Sequence, residues 1–530
     1  MSQQPQLKTL YDLINFRGDT LGEKPYLFHE DVMVSYKDFN KATCRAANGL
    51  INFGGMPGDG VAILMGNCPE YLYLFNGLPR AGFYSVPVNT ALKKEGLRYI
   101  LTNSDVKYLI VDDILYPKIA ELEKPLGLIK KIFVRRTTDE KLPPETIELE
   151  KLLDASPEKP NYEPNPESIA FLMYTSGTTG FPKGVINRVG AQDPQNTIMF
   201  TSLLLKEDDI LYTGLPLFHG NALLLTAGFA MGRGASIALD KRFSASGFWD
   251  SIRRYKATQF NALGSVLQIL MKQPEKHDDA DNPVRMVLSG GCPKNIWQAF
   301  EKRFGVTIWE IYGAVDGGGI NSFNLGNAPV GSIGKPIGDI EWKLVDDKGN
   351  EVQKGVIGEL IHKAREGKVA AVEYFKNPEA SKNKVRSGWV YSGDLFTRDN
   401  EGNLYFVDRK TDSMRRRGEN ISSFEVESII EKHPAVAECA AFGVPSEMGE
   451  DEVMIWVRPK AGQTIDLKDL MKFCADEMAY FMVPRYIDVV DEIPKTETLR
   501  FTKNELKKQG VTKCTWDREK EMPELKLIKS

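Results

Sequence analysis

Short apolar runs suited to buried strands alternate with stretches of helical spacing from Val61 onward. The runs at 61–65, 85–88, 108–111 and 131–134 are each of strand length. Strands interleaved with helices stack as α/β layers. The chain has 530 residues, too long for one small domain and long enough for a large core plus an appendage. Leu7, Leu10, Tyr11 and Ile14 lie at helical spacing and predict a short opening helix. Residues 136–166 are polar and rich in Pro, Glu and Lys, which reads as a surface connection. No internal repeat is present.

A second, small α+β unit is expected to begin near Lys410. Ser422-Ser423-Phe424-Glu425 is a capping-box pattern, and Val426, Ile429 and Ile430 mark the buried face of the helix it starts. Pro434 ends that helix. Strand-like runs follow at 435–442 and 453–457. Leu467, Leu470, Met471, Cys474 and Met478 mark another helix, and Thr502-Lys503-Asn504-Glu505 starts a last one. The C-terminal end is charged and expected to fray.

Composition excludes several classes. A net charge of −4 gives no electrostatic footprint for nucleic acid. The cysteines at 44, 68, 292, 439, 474 and 514 form no CxxC pair, which favours reduced thiols and a cytoplasmic protein over a disulfide framework or zinc site. The N-terminal residues are polar and lack a signal-peptide core. The longest apolar stretch, 222–231, is too short to span a bilayer, so no transmembrane segment is expected.

The most specific segment is Tyr-Thr-Ser-Gly-Thr-Thr-Gly-Phe-Pro-Lys-Gly-Val at 174–185. It follows an apolar run at 169–173, and Val185-Ile186 resumes apolar character. Glycines let the backbone turn tightly and present N–H groups to an anion. Hydroxyls add donors, and Lys183 adds a compact positive charge suited to phosphate. It is not a Walker A loop, because no Gly is followed by Lys-Ser/Thr and no helix obviously begins after it. Such composition alone also suits an ordinary surface loop.

This string resembles the phosphate-binding loop of the adenylate-forming superfamily, which includes acyl-CoA synthetases, luciferases and peptide-synthetase adenylation domains. The resemblance covers nearly the whole chain, and the segment Pro87-Val88-Asn89-Thr90-Ala91-Leu92 with 408–420 is most similar to acyl-CoA synthetases of the fatty-acid and crotonobetaine/carnitine type. It implies a multilayered α/β N-terminal domain at 1–409 and a small mobile α+β lid at 410–530. Thr175, Ser176, Gly177, Thr178, Thr179, Gly180 and Lys183 would cradle the phosphates of ATP. His219, in Leu-Pro-Leu-Phe-His-Gly, would line the carboxylate pocket, although a histidine beside apolar residues is more often a packed core residue. Gly290, Gly291, Cys292 and Pro293 would frame the adenine, with Cys292 a packing residue and not a nucleophile.

Tyr312-Gly313-Ala314-Val315-Asp316 is similar to the family's Tyr-Gly-x-Thr-Glu. Tyr312 would pack on adenine, Gly313 and Ala314 would let the acyl group approach, and Asp316 would hold Mg²⁺. Val315 lacks the hydroxyl that normally faces the α-phosphate, and Asp316 is one methylene shorter than Glu. In Gly388-Trp389-Val390-Tyr391-Ser392-Gly393-Asp394, the carboxylate of Asp394 would accept both ribose hydroxyls. Arg409 would contact ribose and phosphate beside an altered hinge residue, Thr411. Gly418 would let the backbone pass close to the pantetheine, and Arg415, Arg416 and Arg417 either form a solvated turn or meet coenzyme A phosphates. Arg500 stands where the family has a catalytic Lys; it keeps the charge as a broader planar fork. Lys495 and Lys503 are neighbouring alternatives out of register.

The resemblance therefore implies an AMP-forming carboxylate–CoA ligase using ATP, Mg²⁺ and coenzyme A on a carboxylic acid. Medium-chain, alicyclic and carnitine-like acids are all open, and so is a homodimer. Two alternatives stand beside it: an acyl-AMP ligase serving a carrier protein, and a non-catalytic nucleotide or acyl-CoA binding protein.

Overall fold

In the computed structural model the described residues are 7–122, 126–175, 182–317, 319–337, 340–363, 372–410, 412–416, 419–446, 451–496 and 501–525, with backbone alone at 320, 415, 419 and 420. The chain divides into two compact units. One is Met1–Gly331 with Ala370–Arg386, the other Ser332–Val369 with Ser387–Ser530. This division follows packing density and falls at a different place from the expected 409/410 boundary.

The first unit holds two predominantly parallel sheets. In one, the strands run in the spatial order Ile147–Glu148, Lys131–Arg135, Val106–Asp112, Gly60–Leu64, Tyr84–Pro87, Ile169–Thr175 and Lys183–Arg188. All neighbours are parallel except the last pair, a hairpin whose register sets Thr175 opposite Lys183. Gly60–Leu64, Tyr84–Pro87 and most of Val106–Asp112 are buried. That burial on both faces explains their continuous Val/Ile/Leu character. Helix Lys94–Asn103 lays Leu97, Ile100 and Leu101 into the same core as Ala62, Val86, Leu109 and Val111.

The connection at 136–166 is not structureless. It adds the edge strand Ile147–Glu148 and helix Leu149–Leu153, whose Leu149 and Leu152 are buried. Two leucines in a polar stretch suffice because helix Tyr36–Asn52 offers Gly49, where a Cβ would lie 1.9 Å from the Leu152 carbonyl oxygen.

The second sheet orders Val32–Ser35, Pro25–His29, Ser236–Leu239, Ile210–Thr213, Gln259–Leu263, Met286–Gly290, Thr307–Ala314 and Gly319–Asn324. It is parallel from Pro25–His29 to Thr307–Ala314, with an antiparallel strand at each end of that run. The predicted opening helix is present as Leu10–Leu21, capped reciprocally by Thr9 and Asp12.

In the second unit, strands Glu341–Val345, Gly358–Lys363, Trp389–Arg398 and Leu404–Arg409 pair antiparallel. A separate sheet orders Val436–Pro445, Asp451–Pro459, Tyr486–Val489 and Trp516–Asp517. Helix Ser423–Ile430 begins where the sequence places it, with the Ser422 hydroxyl accepting from Glu425 N–H. Val426, Ile430, Leu470 and Cys474 join Val453, Ile455 and Val457 in one core. The α/β class with a smaller α+β C-terminal part is thus the observed architecture.

Candidate active site

Within the first unit, the motifs cluster beyond the carboxyl ends of parallel strands, where open α/β sheets bind ligands. Ile169–Thr175 leads into the glycine-rich loop, Ile210–Thr213 precedes His219, Met286–Gly290 ends in the adenine segment, and Thr307–Ala314 carries Tyr312. Ser176, Gly177, Thr178, Thr179 and Gly180 lie outside the described residues; Thr175 and Lys183, which flank them, are paired across the hairpin. Among the described residues Lys183 makes no ion pair; its Nζ sits 5.4 Å from the centre of the Tyr374 ring.

Tyr374 ties this lysine to the expected metal ligand, for its hydroxyl donates to Asp316 Oδ2 at 2.9 Å. Burial, reinforced by the Asp316 charge, raises the Tyr374 phenol, so it stays a donor. Lys384 Nζ lies 3.5 Å from the same carboxylate oxygen. No group of three or more His, Cys, Asp or Glu gathers as a metal cage among the described residues. A single carboxylate completed by phosphate oxygens and water suits Mg²⁺ and not a structural zinc, so Asp316 fits the ion expected of it.

His219 stacks at a tilt on Phe218, ring centres 4.5 Å apart, and is followed by a π-helix at Asn221–Gly228. π-Helical turns widen the backbone and recur at functional sites. The turn at Gly220 sits against Val315, beside Asp316: a Cβ built there would meet Val315 Cγ2 at 3.3 Å and Met173 Sδ at 3.5 Å. The methyl of Val315 thus packs toward the His219 turn.

The segment expected to frame adenine is held by a residue absent from the motif reading. Glu310 is fully enclosed in strand Thr307–Ala314 and accepts from Gly291 N–H and, at 3.2 Å, from Cys292 N–H. Gly291 has φ +90°, and a Cβ on Gly264 would fall 2.0 Å from the Gly291 carbonyl oxygen, so the turn depends on two glycines. Cys292 is buried and its thiol is raised by desolvation, consistent with packing and not with nucleophilic attack. Two residues past Glu310, a register shift separates Tyr312 from Gly313 and re-aims the strand end.

Burial pushes the Glu310 carboxyl up to about 8, outweighing the opposing pull of Gly291, Cys292 and Ser289. Its ordinary value is 4.5, so between these pH values the folded state binds more protons than the unfolded one. The corresponding stability is fully present below the lower value and is lost as pH rises through the upper. Melting temperatures are therefore expected to decline from pH 5 to 8.5, and Glu310→Gln to flatten that decline. An equal slope in both proteins would refute the assignment.

In the second unit, Asp394 and Arg409 stand directly opposite each other in the ladder between Trp389–Arg398 and Leu404–Arg409. Cross-strand partners project to one face, so the expected ribose acid and its arginine share a surface. The strand bulges just before Asp394 at Gly393, at φ +81°, whose N–H donates to Glu359. Glu359 in turn pairs with Lys410 Nζ at 3.0 Å.

A sequence model of AMP-binding enzymes matches residues 17–367, and one of the AMP-binding enzyme C-terminal domain matches residues 425–499. The chain belongs to the AMP-binding enzyme family. It is 30% identical over 489 residues to a crotonobetaine/carnitine–CoA ligase of Salmonella arizonae, covering 89% of this chain and 93% of that one. The corresponding ligase of Escherichia coli is 30% identical over 493 residues, with the same coverage. Among solved structures, the anthranilate CoA ligase AuaEII bound to anthranoyl-AMP superposes with TM-score 0.85 at 25% identity, covering 96% of this chain and 98% of that one. O-succinylbenzoate coenzyme A synthetase from Bacillus subtilis, in complex with AMP, gives TM-score 0.77 at 26% identity, covering 93% and 98%.

Against this AMP-binding enzyme's structure, several expectations need correction. Lys495 and Lys503 are not spare cations for the site. Lys495 is bonded to Glu438, and Lys503 is bonded to Ser423 and lies 2.7 Å from Glu427. Arg416 is neither a solvated turn residue nor a coenzyme A contact. It is buried, donates to the Val483 carbonyl at 2.9 Å and pairs with Glu452 at 2.7 Å. Thr411, Gly418 and Arg500 lie outside the described residues. Glu310, Tyr374 and Lys384 carry no motif signal, because each meets its partner across a distance in sequence.

Proposed function

We propose that this chain is an AMP-forming carboxylate–CoA ligase whose chemistry is organised by the Lys183–Tyr374–Asp316 cluster. That cluster is the observation that carries the reading: a lysine beside a glycine-rich hairpin, with no ion pair among the described residues, joined through one phenol to a carboxylate just past a strand end of the second sheet. The substrates are ATP, coenzyme A and a carboxylic acid. The acid's carboxylate attacks the α-phosphorus of ATP to give acyl-AMP and pyrophosphate. The thiol of coenzyme A then attacks the acyl carbon and releases AMP.

Lys183 and the flanking N–H groups would offset charge on the phosphates, mainly by positioning and electrostatics. Mg²⁺, when bound through Asp316, neutralises phosphate oxygens. Glu310 would keep the adenine turn in shape, and Tyr312 would cover the base. His219 would line the acyl pocket. Asp394 and Arg409 would hold the ribose, and Arg500 the attacking carboxylate, with Gly418 near the pantetheine.

The 409/410 boundary is proposed as the pivot between the two half-reactions. Asp408 accepts from Ser423 N–H at 2.6 Å, a bond that spans this boundary and would have to break if the lid turns there. The 30% identity to crotonobetaine/carnitine–CoA ligases supports a carnitine-like acid as the first substrate to test. Free cysteines support a cytoplasmic setting, and no helix among the described residues is long and apolar enough to cross a membrane. A homodimer is compatible with the reading and is checked by light scattering.

The test is a panel of carboxylic acids with Mg·ATP, with and without coenzyme A, read by mass spectrometry. Acyl-CoA and AMP from one acid class are expected. Acyl-AMP that persists with coenzyme A present would replace this reading with a carrier-dependent ligase. ATP binding without either product would replace it with a binding protein.

A further inference from the structure

Asp316 faces a built-in cation. Helix Pro378–Lys384 ends at Lys384, whose side chain is only 13% exposed and whose Nζ lies 3.5 Å from Asp316 Oδ2. Asp316 is itself 26% exposed, and the same oxygen accepts the Tyr374 hydroxyl. Thus one carboxylate oxygen faces both a phenol and an ammonium. In this partly enclosed setting the pair interacts more strongly than an exposed ion pair does. A divalent ion that ligates Asp316 must compete with Lys384 for its charge.

We propose that Lys384 is a positioning residue that acts as a placeholder for the metal, neutralising Asp316 when the ion is absent. It thereby lowers the dependence of ATP binding on Mg²⁺. Without Lys384, a bare carboxylate would repel the polyphosphate in metal-free enzyme and would bind the ion more tightly in loaded enzyme. Both changes widen the gap between the two states. The inference rests on the reading of Asp316 as the metal-ligating acid.

The experiment is calorimetric titration of α,β-methylene-ATP into full-length protein, once with excess Mg²⁺ and once in EDTA. The measured quantity is the ratio of the two dissociation constants. Lys384→Met is expected to raise that ratio roughly tenfold, and Lys384→Arg, which keeps the charge, to leave it near the wild-type value. An unchanged ratio in Lys384→Met, or an equal rise in Lys384→Arg, would overturn the proposal. Should Lys384→Met fail to fold, Lys384→Gln gives the same comparison. AMP, titrated without metal, is the control that separates the two readings. If neither AMP nor the ATP analogue binds wild type, the ligase reading falls and this inference with it. If both bind and the ratio does not move, only this inference falls.

Discussion

Lys503→Met is expected to lower the stability of the C-terminal unit by about 3–5 kcal/mol, the usual consequence of removing one partner from a buried ion pair. Lys503 and Glu427 are only 11% and 12% exposed. Glu427 also accepts the Ala441 N–H at 2.8 Å, and Asp408 adds a second negative charge nearby. Burial pulls the Lys503 ammonium down, but Glu427 and Asp408 outweigh it and hold the group protonated above the ordinary lysine value. Without the lysine, two enclosed carboxyl groups are left with no cation between them. Urea unfolding followed by tryptophan fluorescence reads this effect, because Trp342, Trp389, Trp456 and Trp516 all lie in that unit. A loss below about 1 kcal/mol, the range of exposed pairs, would show that the contact is not structural. Adding Glu427→Gln to Lys503→Met is expected to restore part of the loss, since the stranded charge is then removed.

Lys183→Met is expected to reduce acyl-AMP formation by about 10²–10³-fold, the range for losing one preorganised charge-stabilising donor. The assignment comes from position: Lys183 flanks the glycine-rich loop, packs on the Tyr374 ring and has no competing carboxylate partner among the described residues. Single-turnover measurement of acyl-AMP separates this from a binding defect. A raised KM with unchanged turnover would mean that Lys183 only holds ground-state nucleotide. A fall of less than fivefold would exclude it from the adenylation step. Because Lys495 and Lys503 are both committed to glutamates, no described lysine in that stretch is placed to compensate at Arg500's position.

The features legible in the sequence share one property: they repeat or cap locally. Helix Ser423–Ile430 announces itself through Ser422 and the spacing of Val426 and Ile430. The hairpin of Ile169–Thr175 and Lys183–Arg188 is visible as two apolar runs around a glycine-rich turn. The order of motifs places these segments at strand ends, and Asp394 and Arg409 both stand out as motif residues in the sequence. Their direct pairing across two strands is a matter of register. The helix at Leu149–Leu153 was hidden because a polar composition masks two well-placed leucines.

What the sequence by itself determined is therefore the layered α/β class, the family and the short motifs expected to meet phosphate, adenine and ribose. These are encoded in periodicity and in short strings whose backbone demands are local. Only the tertiary structure decided which charges are spoken for. Tyr374 reaches Asp316 across 58 residues, Lys503 reaches Ser423 across 80, and Arg416 reaches Val483 across 67. Whether a lysine or arginine is catalytic, structural or solvated depends on the carboxylate or carbonyl that topology brings within a few ångströms. Coulomb and hydrogen-bond energies fall off over that distance in space, and separation along the chain does not enter them.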